Sequence, residues 1–415
     1  MILAILETVV VCLACAVLAR SYYVLRVATP AALRPHVRGP MKVCVVLGSG
    51  GHTSEMLRAI EALPRGYWRN NRCVYVVSDT DRHSAALAAE LEQRLFGRAA
   101  ACCVIPRARE VGQSYFTSIF TTLRGVYRAL AIVYNERPSV LLLNGPGVCV
   151  PIVAASLALA VVCPWRCARP ATVYMESFTC VSHLSLTGAL LAPFATDVFT
   201  VHWRRLEAGV RRRMWRGALR YIGCEGAANA PRLAEADGAA AAARYAVVTV
   251  GSTHFDALVR AVLQEDVCAL LRTAHGIDKL YVQYGTMPCP LPAATAACGG
   301  LEVEVFPYRA GLGALLARAA LVLTHAGAGT ILECLHAHRR LLVVPNRELM
   351  SDHQLELAEV LEQQGYLFCV DVADLPARLR ALDCGPLRQF PGLAADLLAE
   401  AVSLPLTGER WKKDA

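Results

Sequence analysis

Three kinds of residue in this chain stand where they could do chemistry: glycines at strand-to-helix turns, histidines beside them, and carboxylates or amides in the helices that follow. Gly327, Ala328, Gly329 and Thr330 stand between an apolar run, Ala319 to Leu323, and an amphipathic segment beginning at Thr330. Backbone N–H groups at a helix start have no intrahelical partner and the helix dipole adds partial positive charge, so a diphosphate can bind there without a side-chain cation. His325 precedes the glycines and either faces the phosphate or packs at the strand end. Glu333 is expected in the first helical turn, where it could accept hydrogen bonds from ribose hydroxyls. The spacing Thr330-Ile-Leu-Glu333 fits a capping box equally well. After a second apolar strand, Leu341 to Val344, the triplet Asp352, His353 and Gln354 opens another helix and could grip sugar hydroxyls.

A second turn lies in the first half of the chain, where Gly48, Ser49, Gly50, Gly51, His52 and Thr53 follow a buried strand. A dinucleotide fingerprint would want glycine at position 53, and a phosphate-binding Walker loop would want Gly-Lys-Ser/Thr; neither is present. With the donor phosphates assigned to the later turn, this one is available for an acceptor diphosphate or its sugar. His52 is then either a general base on an acceptor hydroxyl or a hydrogen-bond donor to phosphate. Asn144, Gly145 and Gly147 form a tight loop at another strand end, Glu176 ends a further strand with His183 following, and Arg107 and Arg109 could meet an acceptor phosphate. Asp79-Thr80-Asp81 spells the metal motif of single-domain glycosyltransferases. Where helix starts carry the diphosphate charge these aspartates read better as turn and cap residues, so no metal ligand is assigned. Stimulation by Mg2+ is left open.

The elements that must position these groups follow a strand-then-helix rhythm. Val43 to Leu47, Cys73 to Ser78, Cys102 to Pro106, Val140 to Leu143 and Thr172 to Glu176 read as parallel strands with helices between, the pattern of a doubly wound α/β domain. After an alanine-rich stretch the rhythm restarts at Ala246. At 415 residues the chain exceeds one core, and two α/β halves imply two domains facing each other across a cleft. The expected division is an anchor at 1–20, an acceptor domain at 40–226, a linker at 227–245, a donor domain at 246–385 and a tail at 386–415. Residues Met1 to Ala19 are apolar but for Glu7 and Thr8, long enough for a single transmembrane helix, with Arg20, Arg26, Arg34 and Arg38 just after it. No positive n-region precedes it, so an uncleaved anchor with a cytosolic body is expected. Val150 to Cys163 is too short to span comfortably and reads as a buried helix. Arg204 to Arg220 carries seven arginines and reads as a helix face toward solvent or anionic lipid.

Composition supports the membrane setting. Hydrophobic residues make up 55% of the chain and the net charge is +8, which suits anionic lipid or diphosphate. No basic run interleaved with aromatics argues for nucleic acid. The 17 cysteines are scattered through apolar runs without a spaced framework, which fits a reducing compartment better than disulfides or zinc.

The stretches GSGGHTSEMLR, REVGQSYFTSIFTT, NGPGVCVPI and YMESFTCVSHLSLTG resemble the membrane-anchor subunit of the enzyme that adds the second N-acetylglucosamine to dolichol diphosphate. VTVGSTHFDALV, THAGAGTILECL and MSDHQLELAEVLEQQGYLF resemble its catalytic subunit. The resemblance implies a two-domain GT-B glycosyltransferase, normally two chains meeting at the cytosolic face of the endoplasmic reticulum, here joined with the anchor half first. It implies transfer from UDP-GlcNAc to GlcNAc-diphosphodolichol, with the preceding enzyme of the dolichol pathway as a further partner. UDP-GlcNAc is placed against Gly251, Ser252, Thr253, Gly285, His325, Gly327, Gly329, Glu333, His353 and Gln354, and the lipid-linked acceptor against Gly50, Gly51 and His52. His52, Glu176 and His325 become the candidate catalytic residues. Ser252 and His254 depart from the threonine and serine usual in the family, and VQYGTM lacks its usual basic residue. The rivals are a transferase using a different polyprenyl-diphosphate sugar, a nicotinamide-dependent oxidoreductase, and a non-catalytic scaffold.

Overall fold

The computed structural model describes residues 2–27, 41–63, 71–107, 115–223, 244–251, 254–291, 295–309, 311–346, 352–381, 387–392 and 395–407. The chain divides into two compact units, 1–223 with 393–415, and 224–392.

In the first unit the elements run α1 (Ile2–Tyr22), a π-helical turn (Tyr23–Val27), β1 (Lys42–Val46), α2 (Gly51–Ala62), β2 (Arg72–Ser78), α3 (Arg82–Phe96), β3 (Ala101–Ile105), α4 (Tyr115–Glu136), β4 (Val140–Asn144), α5 (Cys149–Val162), β5 (Ala171–Met175), α6 (Leu186–Leu191), β6 (Val198–Val201), α7 (Glu207–Arg213) and β7 (Ala218–Tyr221). Among the described residues the sheet has the order β3-β2-β1-β4-β5-β6-β7, and its strands pair in parallel. Parallel strands need crossover helices on both faces, so the central strands are apolar on both sides. The four residues Val140 to Leu143 are each at most 1% exposed, and each such side chain contributes about 1.5–3 kcal/mol over leaving it in water. Strand order reverses between β1 and β4, where a doubly wound sheet opens a crevice at its carboxyl edge.

The second unit contains β8 (Tyr245–Thr249), α8 (Asp256–Val262), α9 (Glu265–His275), β9 (Lys279–Gln283), β10 (Thr295–Cys298), β11 (Leu301–Phe306), α10 (Gly313–Leu316), β12 (Leu321–His325), α11 (Ala328–His336), β13 (Leu341–Val344), α12 (Asp352–Gln363), β14 (Phe368–Cys369) and α13 (Leu375–Ala381). Its sheet runs β10-β11-β9-β8-β12-β13-β14, with β10 antiparallel to β11. The reversal here lies between β8 and β12.

The stretch expected as a tail holds α14 (Ala395–Thr407), which belongs to the first unit. Leu398, Ala401 and Val402 join that unit's core beside Met56, Ile60, Val173 and Val198, and Glu400 lies 3.5 Å from Arg220. The expected linker, 227–245, lies outside the described residues except at its last two positions.

Arg204 to Arg220 is not one helix. It divides into a 3-10 turn, α7 and edge strand β7. Arg216 faces inward, donating to Asp197 at 2.9 Å and to the carbonyls of Val24 and Leu25 at 3.4 and 3.1 Å. Asp197 also accepts from the fully buried Arg169 at 2.8 Å. Arg26 stacks 4.3 Å over Trp215, and Arg20 donates to Ala160 of α5. The exit of α1 is thus bonded to the body of its unit. Helix α5 is largely buried, as its apolar run implies. Val9 to Arg26 forms one helical stretch long and apolar enough to cross a bilayer, with little of it buried.

Candidate active site

The glycine turn after β1 and the loop after β4 meet at the reversal point of the first sheet. Gly50 has φ 62° and precedes the first residue of α2, a conformation that favours glycine. It lets the chain turn sharply, so that His52 sits in the first helical turn among unpartnered backbone N–H groups. His52 Nδ1 lies 2.9 Å from Asn144 Oδ1. Asn144 is fully buried and its Nδ2 donates to Glu55 Oε2 at 3.0 Å; Glu55 Oε1 accepts from Ser177 Oγ at 3.0 Å. The imidazole rests on glycine backbone, for a Cβ built on Gly145, φ 53°, would lie 2.3 Å from its Cε1.

Glu176 is near this group but fully buried. Its Oε1 accepts from Ser177 N at 3.0 Å and its Oε2 from Ser185 N at 3.2 Å, at the start of α6. Burial raises its pKa, and hydrogen bonds from Ser185 and Ser177 offset part of that rise. These bonds make Glu176 a brace for the loop after β5.

Thr53, expected against the acceptor, points inward. Its hydroxyl donates to the Gly48 carbonyl and meets Ser84 Oγ at 2.6 Å. Ser84 donates in turn to Asp81 Oδ2, and Asp81 Oδ1 caps α3 by accepting from Ser84 N. The Asp79–Asp81 motif therefore supplies a turn and a cap, as its position implies. Ser49, Gly50 and Gly147 are exposed and Gly51 is half-buried; Arg109 lies outside the described residues.

In the second unit His325 ends β12 and is 6% exposed. Its ring fills the space between two glycine turns: a Cβ on Gly251 would lie 2.9 Å from Cε1, and one on Gly327 would lie 2.5 Å from Nε2. Burial lowers its pKa, partly offset by the Thr249 backbone. A neutral imidazole therefore stands between the end of β8 and the start of α11. That helix begins at Ala328 behind Gly327, with no side-chain cap, so the first N–H groups, those of Ala328, Gly329 and Thr330, are open to an anion. The helix starts earlier than its sequence suggests. Thr330 is its third residue and Glu333 its sixth, so the capping box is not formed and Glu333 lies in the second turn, where its Oε1 approaches Gly313.

Two buried residues that the sequence did not flag hold the Gly251 turn. Thr249 Oγ1 donates to Gln283 Oε1 at 2.6 Å and accepts from Gly251 N; Gln283 Nε2 donates to the Arg309 carbonyl. Gly285, φ 70°, follows β9 on the same edge. Gln354 Oε1 is buried without a hydrogen-bond partner among the described residues. Ser252 and Thr253 lie outside those residues, as do the side chains of Asp352 and His353.

One surface feature also escaped the sequence reading. Phe116, Ile119, Phe120, Leu123 and Tyr127 recur at helical spacing along α4, and all are exposed, the phenylalanines by about 70%. Beside them Arg124 and Arg128 line a cavity of about 270 Å³ with Asp79, Val104 and Pro106. Their i, i+4 spacing was the available signal.

Residues 43–219 match the family described as oligosaccharide biosynthesis protein Alg14 like, and residues 245–382 match the glycosyltransferase family 28 C-terminal domain. The human UDP-N-acetylglucosamine transferase subunit ALG14 is 33% identical over 189 residues, 44% of this chain and 84% of that one. Its Candida albicans counterpart is 37% identical over 180 residues, 43% of this chain and 78% of that one. Among solved structures, Acinetobacter baumannii MurG aligns with a TM-score of 0.52 at 14% identity, over 88% of this chain and 95% of that one. The Staphylococcus aureus MnaA–UDP co-structure aligns with a TM-score of 0.56 at 10% identity, over 90% and 100%. At these identities the structures show the fold, the two-domain GT-B architecture.

Proposed function

Because the chain belongs to the Alg14 family and continues into a family 28 C-terminal domain, we propose that it is a UDP-GlcNAc glycosyltransferase with both halves on one polypeptide. It transfers N-acetylglucosamine to GlcNAc-diphosphodolichol with inversion. The observation that carries this reading is the succession of the two domains, each with a glycine turn and a histidine at the reversal point of its sheet. A linker of about 20 residues keeps the halves at roughly millimolar effective concentration, so their meeting does not depend on the abundance of a second chain.

In the reaction the acceptor 4-hydroxyl attacks the anomeric carbon. The new bond is oxygen to carbon, the bond that breaks joins that carbon to the UDP oxygen, and the hydroxyl proton passes to His52. UDP leaves with its charge against the start of α11, and stabilising that charge is the largest catalytic contribution. His325, neutral and wedged between Gly251 and Gly327, hydrogen-bonds the diphosphate. Glu333 takes the ribose hydroxyls, and Gln354 Oε1, with His353 and Asp352 beside it in sequence, accepts from the transferred sugar. The acceptor lies against Ser49, Gly50, Gly51 and the Asn144–Gly147 loop. The apolar stripe of α4 suits lipid, and Arg124 and Arg128 suit the acceptor diphosphate. The arginines after α1 favour a cytosolic face for the catalytic units, with α1 as a single span, and the family relationship favours the membrane of the endoplasmic reticulum. The preceding enzyme of the dolichol pathway is a natural neighbour there. The reading assigns no metal ligand; activity with and without EDTA measures any Mg2+ effect.

The test is incubation of membranes carrying this chain alone with UDP-GlcNAc and GlcNAc-diphosphodolichol. A disaccharide-linked lipid is expected. Product only with a polyprenyl diphosphate bearing a different first sugar would move the reading to another lipid-linked transferase.

A further inference from the structure

Glu55 lies on α2, one turn after His52, and is 4% exposed. Both its oxygens accept, one from Asn144 Nδ2 and one from Ser177 Oγ, each at 3.0 Å. An asparagine amide has nearly the same outline when turned over, but a carboxylate partner removes that ambiguity. Reversed, Asn144 would set its carbonyl oxygen about 3 Å from a Glu55 oxygen with no proton between them. Asn144 Oδ1 therefore points at His52. A carbonyl oxygen only accepts, so His52 Nδ1 carries a proton and donates it at 2.9 Å. In the neutral ring the other nitrogen, Nε2, is then the one with the lone pair. The ring lies close against Gly145, where a built Cβ would come 2.3 Å from Cε1 and 2.6 Å from Nδ1.

We propose that Glu55 is a positioning residue that, through Asn144, fixes the His52 tautomer so that Nε2 is the atom that takes the proton from the acceptor hydroxyl. This rests on the transferase reading above. As the acceptor oxygen bonds to the anomeric carbon and UDP departs, the hydroxyl proton moves to Nε2. His52 becomes an imidazolium whose Nδ1–H is still held by Asn144, and the Glu55 charge stabilises it through the amide. The arrangement assigns tautomer and charge support as a buried aspartate does behind a catalytic histidine, with an amide interposed.

The experiment uses the full chain in detergent micelles, with 15N-labelled histidine and the His52 signals identified by their absence from His52→Gln. Wild type is expected to show His52 protonated on Nδ1. Glu55→Gln can offer an NH2 group to Asn144, which frees that amide to turn over. His52 should then shift at least partly to the Nε2–H tautomer, kcat should fall about 100-fold, the lower end of what a general base contributes, and the KM for UDP-GlcNAc should change less than about twofold. Ser177→Ala keeps the carboxylate and its bond to Asn144, so its kcat should stay within about threefold of wild type. Wild-type His52 protonated on Nε2 would overturn the proposal whatever the activity. So would Glu55→Gln and Ser177→Ala lowering thermal stability and every kinetic constant alike, the mark of a loop brace. If the tautomer is as expected but His52→Ala turns over near normally, the base assignment has failed and the catalytic half of the proposal falls with it, while the transferase reading stands.

Discussion

His325 and Gly327 stand so close that a single methyl group on the glycine would lie 2.5 Å from the imidazole Nε2. Gly327→Ala should therefore push the ring toward the Gly251 turn and away from the start of α11. The apparent KM for UDP-GlcNAc should rise at least about tenfold, a loss of roughly 1.4 kcal/mol of donor binding. The check is steady-state kinetics with donor varied, beside a melting curve to show that the fold persists.

Glu333→Ala should also raise the KM for UDP-GlcNAc; because α11 begins at Ala328, no capping box depends on this carboxylate. An unchanged KM with a lowered melting temperature would assign Glu333 to the fold instead.

Asp197 accepts from Arg169 and Arg216 in an environment where none of the three is more than about a tenth exposed. Removing the carboxylate strands two buried guanidinium groups, and losing one partner of such a pair costs about 3–5 kcal/mol. Asp197→Ala should lower the melting temperature by several degrees, and chemical denaturation should show a reduced midpoint. Arg216→Lys should be milder but not silent, since an ammonium cannot reproduce the forked geometry that reaches Asp197 and two carbonyls at once.

His202, behind β6, is wholly buried, and neither ring nitrogen has a hydrogen-bond partner among the described residues. Burial pushes its pKa down from 6.5 to about 4, so the folded protein holds it neutral where the unfolded chain would charge it. Its contribution to stability is full above about pH 6.5 and fades as the pH falls toward 4. Between pH 7 and 5 this one residue should cost roughly 2 kcal/mol of stability. His202→Leu should have a shallower loss of melting temperature over that interval than wild type. Parallel curves for the two proteins would sink the assignment.

The architecture was legible in the sequence because its signals are local. Buried strands such as Val140 to Leu143 are unbroken apolar runs, and each turn that carries chemistry is marked by glycines at a strand end. What escaped depends on distant partners. Strands β6 and β7 are four residues each, and β7, half-buried at an edge and preceded by arginines, has no apolar run to announce it. Helix α14 reads as a tail until the chain is seen returning to the first core. Glu55, Thr249 and Gln283 look like ordinary helix and strand residues, and only tertiary packing brings Glu55 to Asn144 or Gln283 to Thr249. Glu333 was misplaced by one turn because Ala328 and Gly329 were read as loop, whereas the helix already includes them.

The bonds from Arg216 to the carbonyls of Val24 and Leu25 turn the exit of α1 into a fixed mount instead of a tether. The contact path runs from the exit of α1 through Arg216 to Asp197 and on to Arg169, so it ends in the buried base of the first unit. Severing the mount at Arg216 would leave α1 free to pivot against the unit it now carries at a fixed angle.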